Sequence, residues 1–219
     1  MKMSVFRART LWFVDLHELN PRGRSLYPEV IEALAAKYEF QKVPKSASDL
    51  TKEGGLELFV GSFEARPDEY VDVTFTVYND GLTADTRSST KDSEAFLEQV
   101  MDFVSKGNFG LVYDPSMIHR KAHLSEIIVH TEKTLYSINP KMAQFEKRLN
   151  ELSSGKLPTF HLSGITFRSD QTTPAAASPF QFERRVNVPF SENRYYSAAP
   201  FATEDHMALL REFEELFLA

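Results

Sequence analysis

The residues best suited to chemistry in this sequence form a cation–aromatic group near its C-terminal end. The group combines guanidinium, amide and phenol side chains from two neighbouring segments: Arg184, Arg185, Asn187, Arg194, Tyr195 and Tyr196. Arg and Tyr are favoured at protein interfaces because each combines a large contact area with directed hydrogen bonds. Stacked nucleic-acid bases can use the same groups. We predict that these six residues form a binding site, with an ordinary solvent-exposed hairpin as the alternative.

Two histidine-containing segments have spacings that a metal or acid–base site could use. Alternation along a strand would place Asp15 and His17 on one face. On a helix, His119 and His123 would share a face, but the zinc-protease motif requires Glu directly after the first His, and Arg120 stands there. Neither segment supplies a complete ligand set. We therefore assign no metal ligand, no cofactor and no catalytic residue.

The segment 85–90, Asp-Thr-Arg-Ser-Ser-Thr, precedes a predicted helix whose first N–H groups could hold an anion. It lacks the glycines and the lysine of a P-loop, so helix capping accounts for its hydroxyl groups, with Thr90 as the cap. The chain also lacks the G-x-S-x-G, G-x-G-x-x-G and H-E-x-x-H motifs. Because catalytic groups can meet in space from distant positions, these absences favour a non-catalytic protein and leave an enzyme as the alternative.

Composition narrows the class of protein further. The 219 residues carry a formal net charge of −6, whereas nucleic-acid-binding domains tend to be basic, so a nucleic-acid partner is disfavoured. The absence of cysteine excludes disulfides, thiolate zinc sites and cysteine nucleophiles. No stretch approaches the ~18 apolar residues of a membrane span, and the first residues lack a signal-peptide pattern. We expect a cytoplasmic protein with no membrane contact.

Hydrophobic periodicity predicts the elements that position these residues, in the order β-α-β-β-β-α in each half. In the first half we predict strands at 11–16, 56–63, 71–77 and 82–86, and helices at 28–38 and 90–104. In the second half we predict strands at 127–129, 160–167, 182–190 and 194–197, a helix that opens at Asn139-Pro140, and a helix at 203–217. The strand at 182–190 would place Arg185 and Asn187 on one face. Residues 105–126 are predicted to be a surface connector.

The two halves share more than element order. The single sequence offset that takes Thr90 to Thr203 aligns 70–104 with 183–217 without a gap, and it also matches Leu97 with Leu210. A generic hairpin-plus-helix pattern explains matched spacing within one element, but it explains a continuous register over the whole of 70–104 less easily. We therefore predict a tandem duplication, with one α+β repeat at 1–110 and another at 111–219.

Two such units give an α+β protein with a mostly antiparallel sheet and helices on one face. This element order resembles TATA-binding-protein-like and tandem ferredoxin-like folds, a resemblance that implies a fold and not a function. The tandem ferredoxin-like CRISPR RNA endonucleases are similar in size, but they carry a glycine-rich loop near the C-terminus, and residues 191–219 contain no glycine.

Our leading hypothesis is a non-catalytic interaction protein of the inhibitor, immunity or accessory-subunit type. It would bind a protein partner or its own copy through its sheet face and C-terminal hairpin. The alternatives are a small-ligand binder or enzyme with a pocket between the repeats, and a nucleic-acid processing protein.

Overall fold

The computed structural model describes residues 1–23, 27–45, 54–153, 157–170, 172 and 177–217. These residues form an α+β fold, as predicted. The strands are β1 (Lys2–Phe13), β2 (Leu56–Arg66), β3 (Glu69–Tyr78), β4 (Gly81–Thr86), β5 (Arg120–His130), β6 (Gly164–Phe167), β7 (Phe180–Arg184) and β8 (Arg194–Ala199). The α-helices are α1 (Leu16–Leu19), α2 (Tyr27–Tyr38), α3 (Thr90–Lys106), α4 (Lys141–Ser153) and α5 (Thr203–Phe217). None of these described helices has the length and apolar character of a membrane span.

The chain divides into two compact units. The first unit contains residues 7–125 and 201–203, and the second contains residues 1–6, 126–200 and 204–219. Strand order is β2-β3-β4-β1-β5 in the first unit and β5-β8-β7-β6 in the second. The β1–β4, β2–β3, β3–β4, β6–β7 and β7–β8 pairs are all antiparallel. This order is consistent with the predicted tandem repeat, and the division into 1–110 and 111–219 stays a prediction.

In the first unit, α2 and α3 contact each other and the sheet through an aromatic core. The ring centroids of Tyr38 in α2 and Phe96 in α3 are 4.9 Å apart, and Phe96 lies 5.6 Å from Phe75 in β3. The Tyr38 hydroxyl donates to Gln99 Oε1 at 2.9 Å. Burial of this phenol raises the pKa of Tyr38 above its ordinary value. Helix α2 is therefore a full part of the first core.

Strand β2 contains a bulge at Val60, where φ is +48° and the register with β3 shifts. A β-branched residue in this left-handed region is strained, because its side chain approaches the following carbonyl group. The bulge accompanies a pairing of β2 with the chain that follows α2. Gln41 N–H donates to Val60 O at 3.1 Å, and Phe59 N–H donates to Lys42 O at 2.8 Å.

The second unit has its own core, to which α4 adds nothing. The rings of Phe182 in β7 and Tyr195 in β8 stack with centroids 4.6 Å apart, and Phe213 of α5 lies 5.0 Å from Phe182. Ile127 of β5 completes the layer. None of the residues of α4, Lys141–Ser153, is buried. Helix α2 follows β1 after the short helix α1, and α4 follows β5 after a short turn. Of these two helices, only α2 packs into a core.

The predicted offset between the halves holds from β4 onward and fails before it. Helices α3 and α5 begin at Thr90 and Thr203, the pair that defines the offset. Strands β4 and β8 begin at Gly81 and Arg194, which are separated by the same interval. The prediction of a strand over 182–190 is wrong, because β7 ends at Arg184.

The strand pairing shows how the gap-free alignment fails. Phe75 pairs with Ala84, and Phe182 pairs with Ser197, the residue that the offset matches with Ala84. Phe182 therefore occupies the place of Phe75, whereas the alignment matches Phe75 with Val188, so the β7–β8 connection is six residues longer than the β3–β4 turn. The chain leaves the strand because Asn187 has a φ of +63° and because Pro189 has no N–H to donate.

Two further predictions need correction. The strand predicted at 11–16 ends at Phe13, and Asp15 instead caps α1, with its Oδ1 accepting from His17 N–H at 2.8 Å. Asp15 and His17 therefore do not share a strand face. The predicted connector 105–126 includes the start of β5, where the Arg120 guanidinium lies 4.0 Å from the Phe13 ring centroid and Lys121 Nζ lies 4.8 Å from that of Trp12. These two cations lie over aromatic rings and are not part of an irregular connector.

Candidate protein-binding surface of the second unit

Arg184, the first of the predicted binding residues, holds the chain around it. Its Nε donates to Leu162 O at 3.1 Å, and its Nη1 donates to Phe190 O at 2.6 Å. The guanidinium also lies 4.5 Å from the Phe190 ring centroid and 5.5 Å from that of Tyr195. A planar fork of donors suits two carbonyl groups on different segments. Arg184 thus positions the connection that follows β7.

Tyr195 and Tyr196 point to opposite sides of β8 and differ in access to solvent. Tyr195 is fully buried against Phe182, and its hydroxyl donates to Asn193 Oδ1 at 3.3 Å. Burial raises the pKa of the Tyr195 phenol, and the Arg184 cation opposes that effect. Tyr196 is half-buried, with its ring edge-to-face with Phe6 at 6.4 Å. In this structure the Tyr195 ring belongs to the core of the second unit.

The other predicted binding residues lie in or next to the β7–β8 loop, which comprises residues 185–193. Asn187 is exposed in a left-handed conformation, and Arg185 is half-buried. Neither residue is in a strand, so the prediction that they share a strand face is wrong. Arg194, the first residue of β8, pairs with Glu192 at 3.1 Å. The structure therefore brings Arg184 and Tyr195 into contact and leaves Arg185, Asn187 and Arg194 accessible to different degrees.

The β7–β8 loop also presents two exposed apolar residues within the segment that alternation predicts to be a strand. Val186 is 79% exposed, and Phe190 is exposed beside Arg184. Alternating hydrophobicity made them look like a buried strand face. Pro189 and the Asn residues on either side of it were the available signal for a loop.

Helix α4 is held to the second unit by its polar side. The Glu146 carboxylate accepts hydrogen bonds from the Tyr136 hydroxyl and from Leu162 N–H, the latter at 3.1 Å. One turn later, Asn150 Oδ1 accepts from Phe160 N–H at 2.7 Å, and Asn150 Nδ2 donates to Phe160 O at 3.0 Å. Residues four apart lie on one helix face, so this polar face contacts the segment before β6.

The apolar residues of α4 lie on the face next to this polar face and are exposed to solvent. We call the exposed apolar residues of this helix the α4 stripe, and they are Met142, Phe145, Leu149 and Leu152. Phe145 is 60% exposed. Their spacing of three, four and three residues gives the narrow seam by which one helix packs against another. Hydrophobic periodicity predicts this helix and these residues, but the exposure of the stripe depends on the polar contacts of the neighbouring face.

His161 connects α4 to the β7–β8 loop. Its Nδ1 lies 3.2 Å from Glu146 Oε1, and its ring packs edge-on against Phe190, with centroids 5.3 Å apart. We call the combined region, formed by the α4 stripe with Phe160, Val186 and Phe190, the second-unit surface. Arg185, Asn187 and Arg194, which lie in the β7–β8 loop or at the start of β8, supply its polar groups, and we call them the polar margin.

The polar clusters of the first unit are engaged in structure. Ser89 caps α3 in place of the predicted Thr90, and its Oγ accepts from Asp92 N–H at 3.1 Å. Thr90 N–H donates to Thr203 Oγ1, and Thr203 N–H donates to Thr90 Oγ1, both at 3.0 Å. The first N–H groups of α3 therefore already have acceptors. His123 Nδ1 lies 3.2 Å from the buried Thr10 hydroxyl.

A cavity of about 80 Å³ lies in the first unit among aliphatic side chains of α2, α3 and β2–β4, including Leu34, Leu58 and Val100. This is smaller than the ~150 Å³ that an engineered apolar cavity offers to benzene. It therefore suits at most a very small apolar group.

Among the residues that the structure describes, no three His, Asp or Glu side chains are arranged to hold a metal ion. No model of a known protein family matches the chain, and no curated protein is similar enough to count as a relative. The second-unit surface must therefore be interpreted from its own geometry.

Proposed function

We propose that this protein is a non-catalytic interaction protein that binds a protein partner through the second-unit surface. The observation that carries the proposal is the α4 stripe, in which four apolar residues at helix-packing spacing all face solvent. We place the protein in the cytoplasm, in an inhibitor, immunity or accessory-subunit role. The proposal also keeps the predicted binding role of the face of the sheet that the helices leave uncovered.

The comparison between α2 and α4 supports a binding role. The apolar residues Val30, Leu34 and Tyr38 of α2 are buried in the first core. An amphipathic helix of this chain can therefore contribute its apolar face to a core. Helix α4 is also amphipathic, but its apolar residues remain exposed, because the hydrogen bonds of Glu146 and Asn150 hold its polar face against the second unit. Leaving large apolar side chains in water forgoes ~1.5–3 kcal/mol for each one that could be fully buried. A row of exposed apolar side chains of this kind is typical of a protein–protein contact.

The second-unit surface also has the composition of an interface. It combines exposed apolar residues of α4 and the β7–β8 loop with the polar groups of Arg185, Asn187 and Arg194 in the same loop and at the start of β8. Protein interfaces commonly combine an apolar centre with a polar rim. Arg184 contributes indirectly, since its two carbonyl contacts hold the loop in place.

The proposal is tested with two surface variants and one matched control. Phe145→Ser changes the α4 stripe, Val186→Ser changes the loop, and Tyr70→Ser removes an aromatic residue of the first unit that is 63% exposed. Each variant is used to recover binding proteins from the source cells, and the recovered protein is then purified for affinity measurement. We expect Phe145→Ser and Val186→Ser each to weaken binding about tenfold, the equivalent of ~1.4 kcal/mol. Tyr70→Ser should bind like the unaltered chain.

Equal affinity of all three variants and the unaltered chain would overturn the proposed surface. Circular dichroism of each variant establishes that it is folded before binding is compared. Arg185→Ala with Arg194→Ala forms the corresponding test of the polar margin, and we expect a smaller loss from it because rim contacts contribute little energy. Tyr195 is left unaltered in these tests, since its replacement would disturb the core.

A further inference from the structure

Helix α5 exposes a second apolar stripe in the same unit as α4. We call it the α5 stripe. Its apolar members are Leu209 and Leu216, the carboxylate of Glu212 lies between them, and Phe217 is the next residue in sequence. Leu216 is 65% exposed, although the neighbouring face of the helix buries Leu210 and Phe213 in the core. The α5 stripe therefore lies on the flank of the helix, next to its core-facing side.

The equivalence of α3 and α5 shows what such a stripe does elsewhere in this chain. Leu97 of α3 and Leu210 of α5, which the offset between the halves matches, both have 0% exposure. The two helices are therefore rotated alike relative to their own cores. At the same offset, Leu209, Glu212 and Leu216 take the places of three α3 residues: Phe96, Gln99 and Phe103.

In the first unit residues of α2 contact all three of those α3 positions, although only Phe96 among them is fully buried. Tyr38 of α2 packs on Phe96 and donates its hydroxyl proton to Gln99. Lys37 Nζ lies 4.3 Å from the Phe103 ring centroid. The α5 stripe is thus the counterpart of a helix-binding face, but its residues remain exposed.

Helix α4 has the chemistry that the α5 stripe requires. Its stripe is apolar at helix-packing spacing, and Lys141 and Arg148 flank that stripe on the side away from Glu146 and Asn150. Arg148 also forms an exposed ion pair with Glu151 at 3.1 Å, so Lys141 is the main cation of this flank. The α5 stripe carries Glu212, with Glu215 next to it. Cations beside one apolar stripe and carboxylates on the other make the two faces electrostatically complementary.

The α4 of the same chain is a poor occupant for the α5 stripe. To turn its apolar side toward α5, it would have to release the hydrogen bonds of Glu146 to Tyr136 and Leu162 and those of Asn150 to Phe160. The α4 of a second copy can approach while keeping all of them. Each copy carries one α4 stripe and one α5 stripe, so two reciprocal contacts close as a two-fold pair.

We propose that α4 of one copy packs on the α5 stripe of a second copy, and reciprocally, to form a two-fold dimer. The proposal rests on the proposed function, since it assigns a second copy of the chain to the second-unit surface. Met142, Phe145, Leu149, Leu209, Leu216 and Phe217 are each between 36% and 65% exposed. At ~200 Å² for a fully exposed side chain, they present roughly 550 Å² per copy. Reciprocal packing would bury about 1,100 Å², just above the ~1,000 Å² expected of a specific interface.

The test uses the absence of native cysteine. Leu149→Cys and Leu209→Cys are made as separate single variants, mixed, and treated with a short bismaleimide crosslinker. We expect a covalent pair of twice the monomer mass that contains one chain of each variant. Lys147→Cys, on the opposite side of α4 from the stripe, replaces Leu149→Cys in the control mixture and should give little product. Sedimentation of the unaltered protein should also give the dimer mass.

A monomer in sedimentation, or equal crosslinking in the Leu149→Cys and Lys147→Cys mixtures, would overturn the dimer. A chain carrying both Leu149→Cys and Leu209→Cys that crosslinks only within itself would show that its own α4 closes on α5, which also overturns it. Phe145→Glu should convert the dimer to monomer, whereas Lys147→Glu should leave it intact. The proposed function is tested separately from the dimer. If the protein is a monomer and Val186→Ser still weakens binding to a partner protein, the dimer is refuted and the proposed function is not.

Discussion

Replacement of Arg184 by Lys tests whether this residue positions the β7–β8 loop. The Arg184 guanidinium donates to Leu162 O and Phe190 O, which lie on opposite sides of β7 in sequence. Lysine keeps the positive charge but has a single ammonium group, so it cannot reproduce a planar fork directed at two carbonyl groups. The loop should therefore open more often in Arg184→Lys, although the charge of the protein is unchanged.

The expected magnitude follows from the surroundings of each contact. Hydrogen bonds to a charged group contribute ~1.5–3 kcal/mol when they are shielded from water. The contact with Leu162 is partly buried and the contact with Phe190 is exposed, so only the first approaches that range. Lysine can keep one contact and part of the cation–π interaction, which contributes ~0.5–1 kcal/mol at exposed sites. We expect a net loss of about 1–2 kcal/mol.

Hydrogen exchange of the loop amides measures this loss directly. A destabilisation of ~1–2 kcal/mol corresponds to roughly 5–30-fold faster exchange over residues 185–193. Arg194→Lys is the matched control, because the Arg194–Glu192 ion pair is solvent-exposed and contributes at most ~1 kcal/mol. Unchanged exchange in Arg184→Lys, or an equal effect of Arg194→Lys, would refute the positioning role of Arg184.

Three further predictions concern the two cores. Val60→Gly should be more stable than Val60→Ala by about 1 kcal/mol in urea unfolding, because glycine adopts a φ of +48° without strain; Glu57 of the same strand should show the usual preference for Ala over Gly. Tyr195→Phe should cost about 1 kcal/mol or less in thermal unfolding, whereas Tyr195→Ala should cost about 3–5 kcal/mol; similar costs would remove Tyr195 from the core. Because burial raises the pKa of Tyr38, the unfolded chain loses this proton at a lower pH than the folded chain does. The free energy of unfolding should therefore be unaffected by Tyr38 below about pH 10 and should fall above it by up to ~1.4 kcal/mol per pH unit. Tyr38→Phe should reduce that slope, and an unchanged slope between pH 9 and 11 would contradict the burial of the phenol.

Local signals were sufficient for the β3–β4 turn and for helix α5. The Asn79-Asp80-Gly81 sequence predicted a tight turn, and β3 and β4 are indeed joined there. Helix α5 spans the predicted residues 203–217 because its apolar positions recur at helical spacing. In these segments the short-range pattern and the final packing favour the same structure.

The sequence prediction failed where a pattern had two structural solutions. Residues 185–190 alternate like a strand, but the positive φ of Asn187 and the missing donor of Pro189 direct them into a loop. For α4, periodicity identified the helix and its apolar residues without indicating which side would face the protein. That choice depends on contacts of Glu146 and Asn150 with residues 10 to 16 positions later, which single-sequence periodicity does not contain.

The division of the chain between the units has a consequence for its synthesis. The first unit includes 201–203, where Thr203 supplies the acceptor for Thr90 N–H, and the second unit includes residues 1–6. Neither unit is therefore a continuous stretch of sequence, and neither can be completed until residue 203 has left the ribosome. A nascent chain that ends at residue 125 would hold six residues that belong to the other unit and would lack the threonine that accepts from α3. Because domains that are continuous in sequence can fold in turn as they emerge, this chain should complete neither unit before residue 203 has emerged.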